Sequence, residues 1–276
     1  MSLITVSEAG HAVPLLRNAL RAIGLVGLSA MAILAVGADV FARAPVGEAN
    51  LGPALAFPSP AFPFGTDEIG RDVLSETLHA LAYTASRAFV GMLLAVMLGE
   101  LAGFAAARFP KAIGRLLRWM AEVLGAVPTL LLAILAIATQ DPAFAPLAAG
   151  LAATPLAFAR AFDRATADER SAFADYARMT GIPPATLFRR DLIYEIRDRI
   201  LSIAARAFAT VAITLSTASF LGFGIAPPGR GLGLMIAAAR QDYLTAWWTA
   251  AFPALALALL VLFARLAAGL EEGERP

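Results

Sequence analysis

Few residues in this chain could do chemistry, and their spacing excludes most kinds of it. The 276-residue sequence has no cysteine, so it holds no disulfide, thiolate metal site or cysteine nucleophile. His11 and His79 are its only histidines, and a histidine-based metal site would need carboxylates as well. Lys111 is the single lysine and follows Phe109-Pro110 rather than glycine, so there is no G-x-x-x-x-G-K-[ST] phosphate loop. If ATP drives this protein, another chain must bind it. Glu100 sits inside an apolar run. An acid at the centre of a membrane span costs roughly 2.5–3.5 kcal/mol, which makes it a functional candidate. Two roles stay open for Glu100: pairing with a structural partner, the favoured one, or lining a transport pathway. No residue set points to catalysis.

The elements that must position these residues are apolar. Hydrophobic residues make up 59% of the chain and charged ones 16%, with a mean hydropathy of +0.72. A soluble domain is about 45–50% apolar and about 25% charged, so too few polar residues exist to cover a water-exposed surface. The net charge of +1 gives no field directed at nucleic acid. A helical span needs about 20 apolar residues, and six stretches qualify: 22–38, 88–107, 120–139, 143–159, 207–225 and 246–264. This predicts an all-α polytopic protein with about six transmembrane helices. Its expected parts are an N-terminal segment 1–21, a first helix 22–42, an external segment 43–82, a core 83–265 and a tail 266–276. With the N-terminus inside, seventeen basic residues fall in cytoplasmic segments and four outside. That bias places both termini in the cytoplasm.

Two polar stretches interrupt the spans. Residues 43–82 carry Pro45, Pro53, Pro58, Pro60 and Pro63, then Gly65-Thr66-Asp67-Glu68-Ile69-Gly70-Arg71-Asp72. Thr66 or Asp67 is expected to cap an interfacial helix before the second span. A plain cap and turn and a gating or docking role explain this octapeptide equally well. Residues 160–206 form a charged cytoplasmic loop. There, Thr166-Ala167-Asp168-Glu169 fits a capping box, Gly181 a helix end and Pro183-Pro184 a second start. Leu187, Phe188, Leu192, Ile193 and Ile196 give that second helix an apolar stripe suited to a partner's groove. Trp119, Trp247 and Trp248 stand at span ends, as interfacial belts require. Gly99-x-x-x-Gly103 has the spacing of a helix-packing face, but small residues are so frequent here that chance explains it better.

The segment Asp175-Tyr176-Ala177-x-x-x-Gly181 resembles the Glu-Ala-Ala-x-x-x-Gly loop of permease subunits of ATP-binding-cassette importers. Gly65 to Leu74 resembles the G-T-D-E-x-G-R-D-x-L signature of dipeptide, oligopeptide and nickel permeases of the DppC/OppC-like type. Ser219-Phe220-Leu221-Gly222-Phe223-Gly224 with Pro227-Pro228, and Trp247 to Pro253, resemble that subunit's segments around its last span. The resemblance implies a type I importer fold in the bacterial inner membrane. It also implies a sister permease, two ATP-binding subunits that hold ATP and Mg, and an external solute-binding protein. Asp175, Ala177 and Gly181, with Arg178 beside them and Leu187 and Phe188 following, would then couple to the ATPases. Gly65, Thr66, Asp67, Gly70, Arg71 and Asp72 would form the external gating segment. The implied work is inward transport of a peptide or related small solute, with no cofactor in this chain. The alternative is a stand-alone proton-coupled transporter using Glu100, Glu122 and Asp39, which would have no need of the cytoplasmic helix–Gly–helix loop.

Overall fold

A computed structural model describes residues 5–109, 111–139, 142–169, 200–224, 229–242 and 244–269, with 179 and 186 singly. The coupling-loop residues Asp175, Ala177, Arg178, Gly181, Leu187 and Phe188 lie outside the described residues, as do Pro227 and Pro228. The described chain is helical: α1 (Thr5–Val36), α2 (Ala38–Phe41), α3 (Val73–Arg108), α4 (Lys111–Ala126), α5 (Thr129–Thr139), α6 (Ala145–Glu169), α7 (Ile200–Phe220), α8 (Leu232–Ala238) and α9 (Trp248–Ala268). One isolated bridge, Thr66 to Asp72, is the β-type pairing among the described residues. Five helices are long and apolar enough to cross a membrane, or six if α4 and α5 count as one bent span.

The fold divides into two compact units, 1–85 with 227–276, and 86–226. In the first, α1 lies against α9. A Cβ on Gly24 would run into the backbone of Leu266 and Ala267, and one on Gly27 into the Phe263 ring. The helices therefore touch backbone to backbone, as bilayer packing favours when no water drives apolar burial. In the second unit, Gly91 meets Pro146, Val211 and Gly150, Gly99 meets Thr154 and Ala157, and Gly103 meets Phe158 and Ala161. The Gly99-x-x-x-Gly103 spacing is thus a packing face between α3 and α6 and not chance. A frequency argument could not see the partner helix, whose alanines Ala157 and Ala161 complete the contact.

Several local expectations are corrected. Neither Thr66 nor Asp67 caps a helix: Asp72 does, its Oδ2 accepting the Ser75 N–H at 3.1 Å and the Ser75 hydroxyl at 2.6 Å. There is no separate interfacial helix, because α3 runs unbroken for 36 residues from Val73. Thr166 opens nothing. It sits near the end of α6, with its Oγ1 donating back to the carbonyls of Phe162 (3.0 Å) and Asp163 (2.9 Å). A T-x-x-E tetrad reads the same in a last turn as in a first one, and the helix was already under way. Pro155 lies inside α6 without ending it. The third expected span is broken: α4 and α5 meet at an 88° bend around Val127-Pro128, since proline cannot continue the hydrogen-bond ladder. Trp119 and Trp247 are exposed as belts require, but Trp248 is 3% exposed and belongs to the core of the first unit.

Candidate functional site

The octapeptide 65–72 forms a hub of the first unit. Gly65 and Gly70 both take a left-handed φ of 73°, which disfavours any side chain. Space is also denied: a Cβ on Gly65 would lie 2.6 Å from the Ala56 carbonyl and 2.6 Å from Trp248 Nε1. Thr66 is fully buried. Its hydroxyl donates to the Pro53 carbonyl at 2.5 Å and accepts from the Ala56 N–H at 2.8 Å, and its carbonyl accepts from Trp248 Nε1 at 3.1 Å. One threonine thereby ties the proline-rich segment to the start of α9. Asp67 closes the turn, accepting from the N–H groups of Ile69 (3.0 Å) and Arg71 (2.9 Å) and pairing with Arg71 Nε at 2.5 Å.

The first turn of α3 extends the hub. The Ser75 hydroxyl accepts from the N–H groups of Arg43 (2.9 Å) and Ala44 (3.2 Å). Glu76, 6% exposed, accepts from the Gly47 N–H at 2.9 Å and forms an ion pair with Arg230. The Thr84 hydroxyl accepts from the Leu232 N–H at 3.1 Å. Glu76 and Arg230 are 154 positions apart, and no local pattern marks them. The sole hint in the sequence was an arginine on the side where basic residues are rare.

These parts enclose a cavity of about 400 Å³. Asp67, Glu68, Arg71 and Glu76 line it from one side, and Arg230, Met235 and Asp242 from the other. The Asp67–Arg71 and Glu76–Arg230 charges cancel within pairs, while Glu68 and Asp242 leave its lining acidic. Of the predicted external residues, Asp67 and Arg71 reach this cavity. Gly65, Thr66, Gly70 and Asp72 serve the frame that holds it. Glu100 lies in the second unit, 5% exposed on α3 beside the Gly99 packing face. Among the described residues no three His, Asp or Glu side chains gather as a metal site.

A sequence model of the family described as "Binding-protein-dependent transport system inner membrane component" matches residues 90–270. The chain belongs to that family. It is a permease component of a binding-protein-dependent ATP-binding-cassette transporter and a multi-pass inner-membrane protein of the DppC/OppC-like kind. Relatives include the di/tripeptide transport system permease protein DppC of Pseudomonas aeruginosa, 29% identical over 73% of this chain and 67% of that protein. The dipeptide transport system permease protein DppC of Alkalihalophilus pseudofirmus is 24% identical over 94% of this chain and 86% of its own. The peptide transport system permease protein SapC of Escherichia coli is 28% identical over 88% and 85% respectively.

Proposed function

We propose that this permease component forms half of a translocation pathway for peptides or a related small solute. A sister permease supplies the other half. Two ATP-binding subunits hold ATP and Mg on the cytoplasmic side, and a solute-binding protein delivers the cargo from outside. Both chain termini face the cytoplasm in this arrangement, in keeping with the distribution of arginines. The observation that carries the cargo assignment is the naming of the relatives for peptides across up to 94% of the chain. The acidic cavity lining fits the receipt of a cationic surface or a protonated amine.

Coupling runs through 160–206 in this proposal. Asp175, Ala177, Arg178 and Gly181, with Leu187 and Phe188 on the following stripe, seat in the ATPase groove. Closure of the ATPases then moves the attached helices as rigid bodies. Co-purification of the tagged chain with its sister permease and ATPases, and ATP-dependent uptake of a labelled dipeptide by vesicles holding that complex, test the whole reading. Gly181→Asp should release the ATPases while the sister permease stays bound. Recovery of the parent chain alone, driving uptake from a proton gradient, would overturn it.

A further inference from the structure

We infer that the break between α4 and α5, with Glu122 one turn before it, forms a water-exposed wall of the solute pathway inside the membrane. The inference rests on the permease reading above.

Its first support is the direction of the packed helices in the second unit. Along α3, Gly91, Gly99 and Gly103 meet in turn Pro146–Gly150, Thr154–Ala157 and Phe158–Phe162 of α6. Both sequences rise together, so α3 and α6 run parallel. The chain between them must therefore return across the same thickness. Its ends mark that thickness. A Cβ on Gly114, near the start of α4, would meet the Ala106 carbonyl, while the Ala143 carbonyl accepts from Arg87 at 3.5 Å. From Arg87 to Ala106 is about 19 residues, or about 28 Å of helix, close to the roughly 30 Å of a bilayer's hydrocarbon core. Helices α4 and α5 have 16 and 11 residues, about 24 and 16 Å. Neither crosses alone. Together they make one bent crossing rather than a surface helix and a re-entrant loop.

The second support is the depth of the bend. A Cβ on Gly125 would lie 3.3 Å from Pro155. Pro155 is next to Thr154, which sits against Gly99 on α3, twelve residues from Arg87 and seven from Ala106 along that helix. The break therefore falls inside the crossing, roughly 10 Å from its Ala106 end, and not at its edge.

The third support is what the break exposes there. Gly125, Ala126, Val127 and Pro128 are all exposed, and so is Glu122. The last carbonyls of α4 have no helical partners. Helix α5 restarts on the Pro128 carbonyl, which accepts from Leu131 at 2.9 Å and Leu132 at 3.2 Å. Non-helical backbone at this depth is tolerated only against protein or a water-filled cavity, never against lipid. A carboxylate there obeys the same constraint. Lipid or a neighbouring helix has another surface to meet, the exposed stripe Ile113, Leu116, Met120 and Val123. Glu122 projects from the opposite side of α4 by helical spacing. Arg115 and Arg118 share that side of α4 with Glu122 by the same spacing, so the side turned to the path is polar and carries both signs of charge.

The chain's lack of cysteine makes the test direct. Glu122→Cys, Ala126→Cys, Val127→Cys and, as control, Met120→Cys would be placed singly in the transporting complex in native-membrane vesicles. Labelling with a charged, membrane-impermeant methanethiosulfonate is read on the tagged chain, and ATP-dependent uptake is measured in the same vesicles. Positions 122, 126 and 127 should label at least tenfold faster than 120, and saturating dipeptide should slow labelling at 126 and 127 several-fold. In a complex whose parent transports, reaction of 126 and 127 only with a lipid-soluble maleimide would overturn the wall and leave the permease reading intact. Absence of ATP-dependent uptake by the parent complex would instead remove the permease reading itself.

Discussion

The hub around residues 65–76 and the α3–α6 seam hold themselves together in opposite ways. The hub is polar: a buried threonine, an aspartate cap, a tryptophan N–H and a glutamate–arginine pair each make named contacts. The seam is nearly featureless, with Gly91, Gly99, Gly103 and Gly150 brought against carbonyls and alanines. In a bilayer, apolar side chains gain nothing by leaving lipid for protein, so close backbone approach supplies the contact energy. At a loop-built cap, buried backbone polar groups must be satisfied, and side chains do this one by one. The seam should therefore fail when anything is added and the hub when anything is removed.

The largest expected effect is at the seam. Gly91→Leu puts a side chain where a Cβ alone would be 2.6 Å from the Pro146 carbonyl and 2.7 Å from Val211. The helices would have to separate, so detergent-solubilised protein should lose its cooperative melt and run as aggregate in size-exclusion chromatography. Next comes Gly65→Ala in the hub, which adds one methyl group but combines a φ of 73° with a clash against Ala56 and Trp248. Left-handed strain of about 1–2 kcal/mol plus overpacking of about 1–3 kcal/mol should lower the midpoint in a thermal-shift assay by several degrees.

Thr66→Val tests the removal half of the comparison. It keeps the shape but leaves the Ala56 N–H and Pro53 carbonyl without their partner, a loss of about 1–3 kcal/mol. A Thr66→Val protein as stable as the parent would refute the idea that the hub depends on individual hydrogen bonds. The smallest effect on stability belongs to Glu68→Gln combined with Asp242→Asn. Neither carboxylate has an ion-pair partner among the described residues, and surface charge changes usually shift stability by no more than about 0.5 kcal/mol. The double change should leave the melting midpoint within a degree of the parent. It should nonetheless weaken capture of the solute-binding protein, measured at two salt concentrations, if the cavity lining contributes charge complementarity.

Some of this is readable in the amino-acid sequence. The hydropathy of the runs near 22–38, 88–107, 207–225 and 246–264 marked four long helices, because a bilayer demands a length that composition reveals directly, but α1 and α3 start at Thr5 and Val73, well before the apolar runs that revealed them. The octapeptide was visible as a unit, but its division of labour was not. Asp72 rather than Thr66 caps α3 because the cap is set by where the helix begins, and that depends on the Gly65 turn docking on Trp248. The run 120–139 looked like a straight span because hydropathy averages over a proline that redirects the backbone by 88°.

The helical membrane architecture, the family, and the absence of cysteine chemistry and of a phosphate loop were all legible in the chain, since each follows from composition or from short contiguous patterns. Only the packed structure shows which small residues form the α3–α6 seam, that Glu76 finds Arg230 across 154 positions, and that Trp248 is core rather than belt. The physical reason is the same in each case. A close approach or an ion pair depends on what stands opposite, and one strand of sequence carries no record of its neighbour in space.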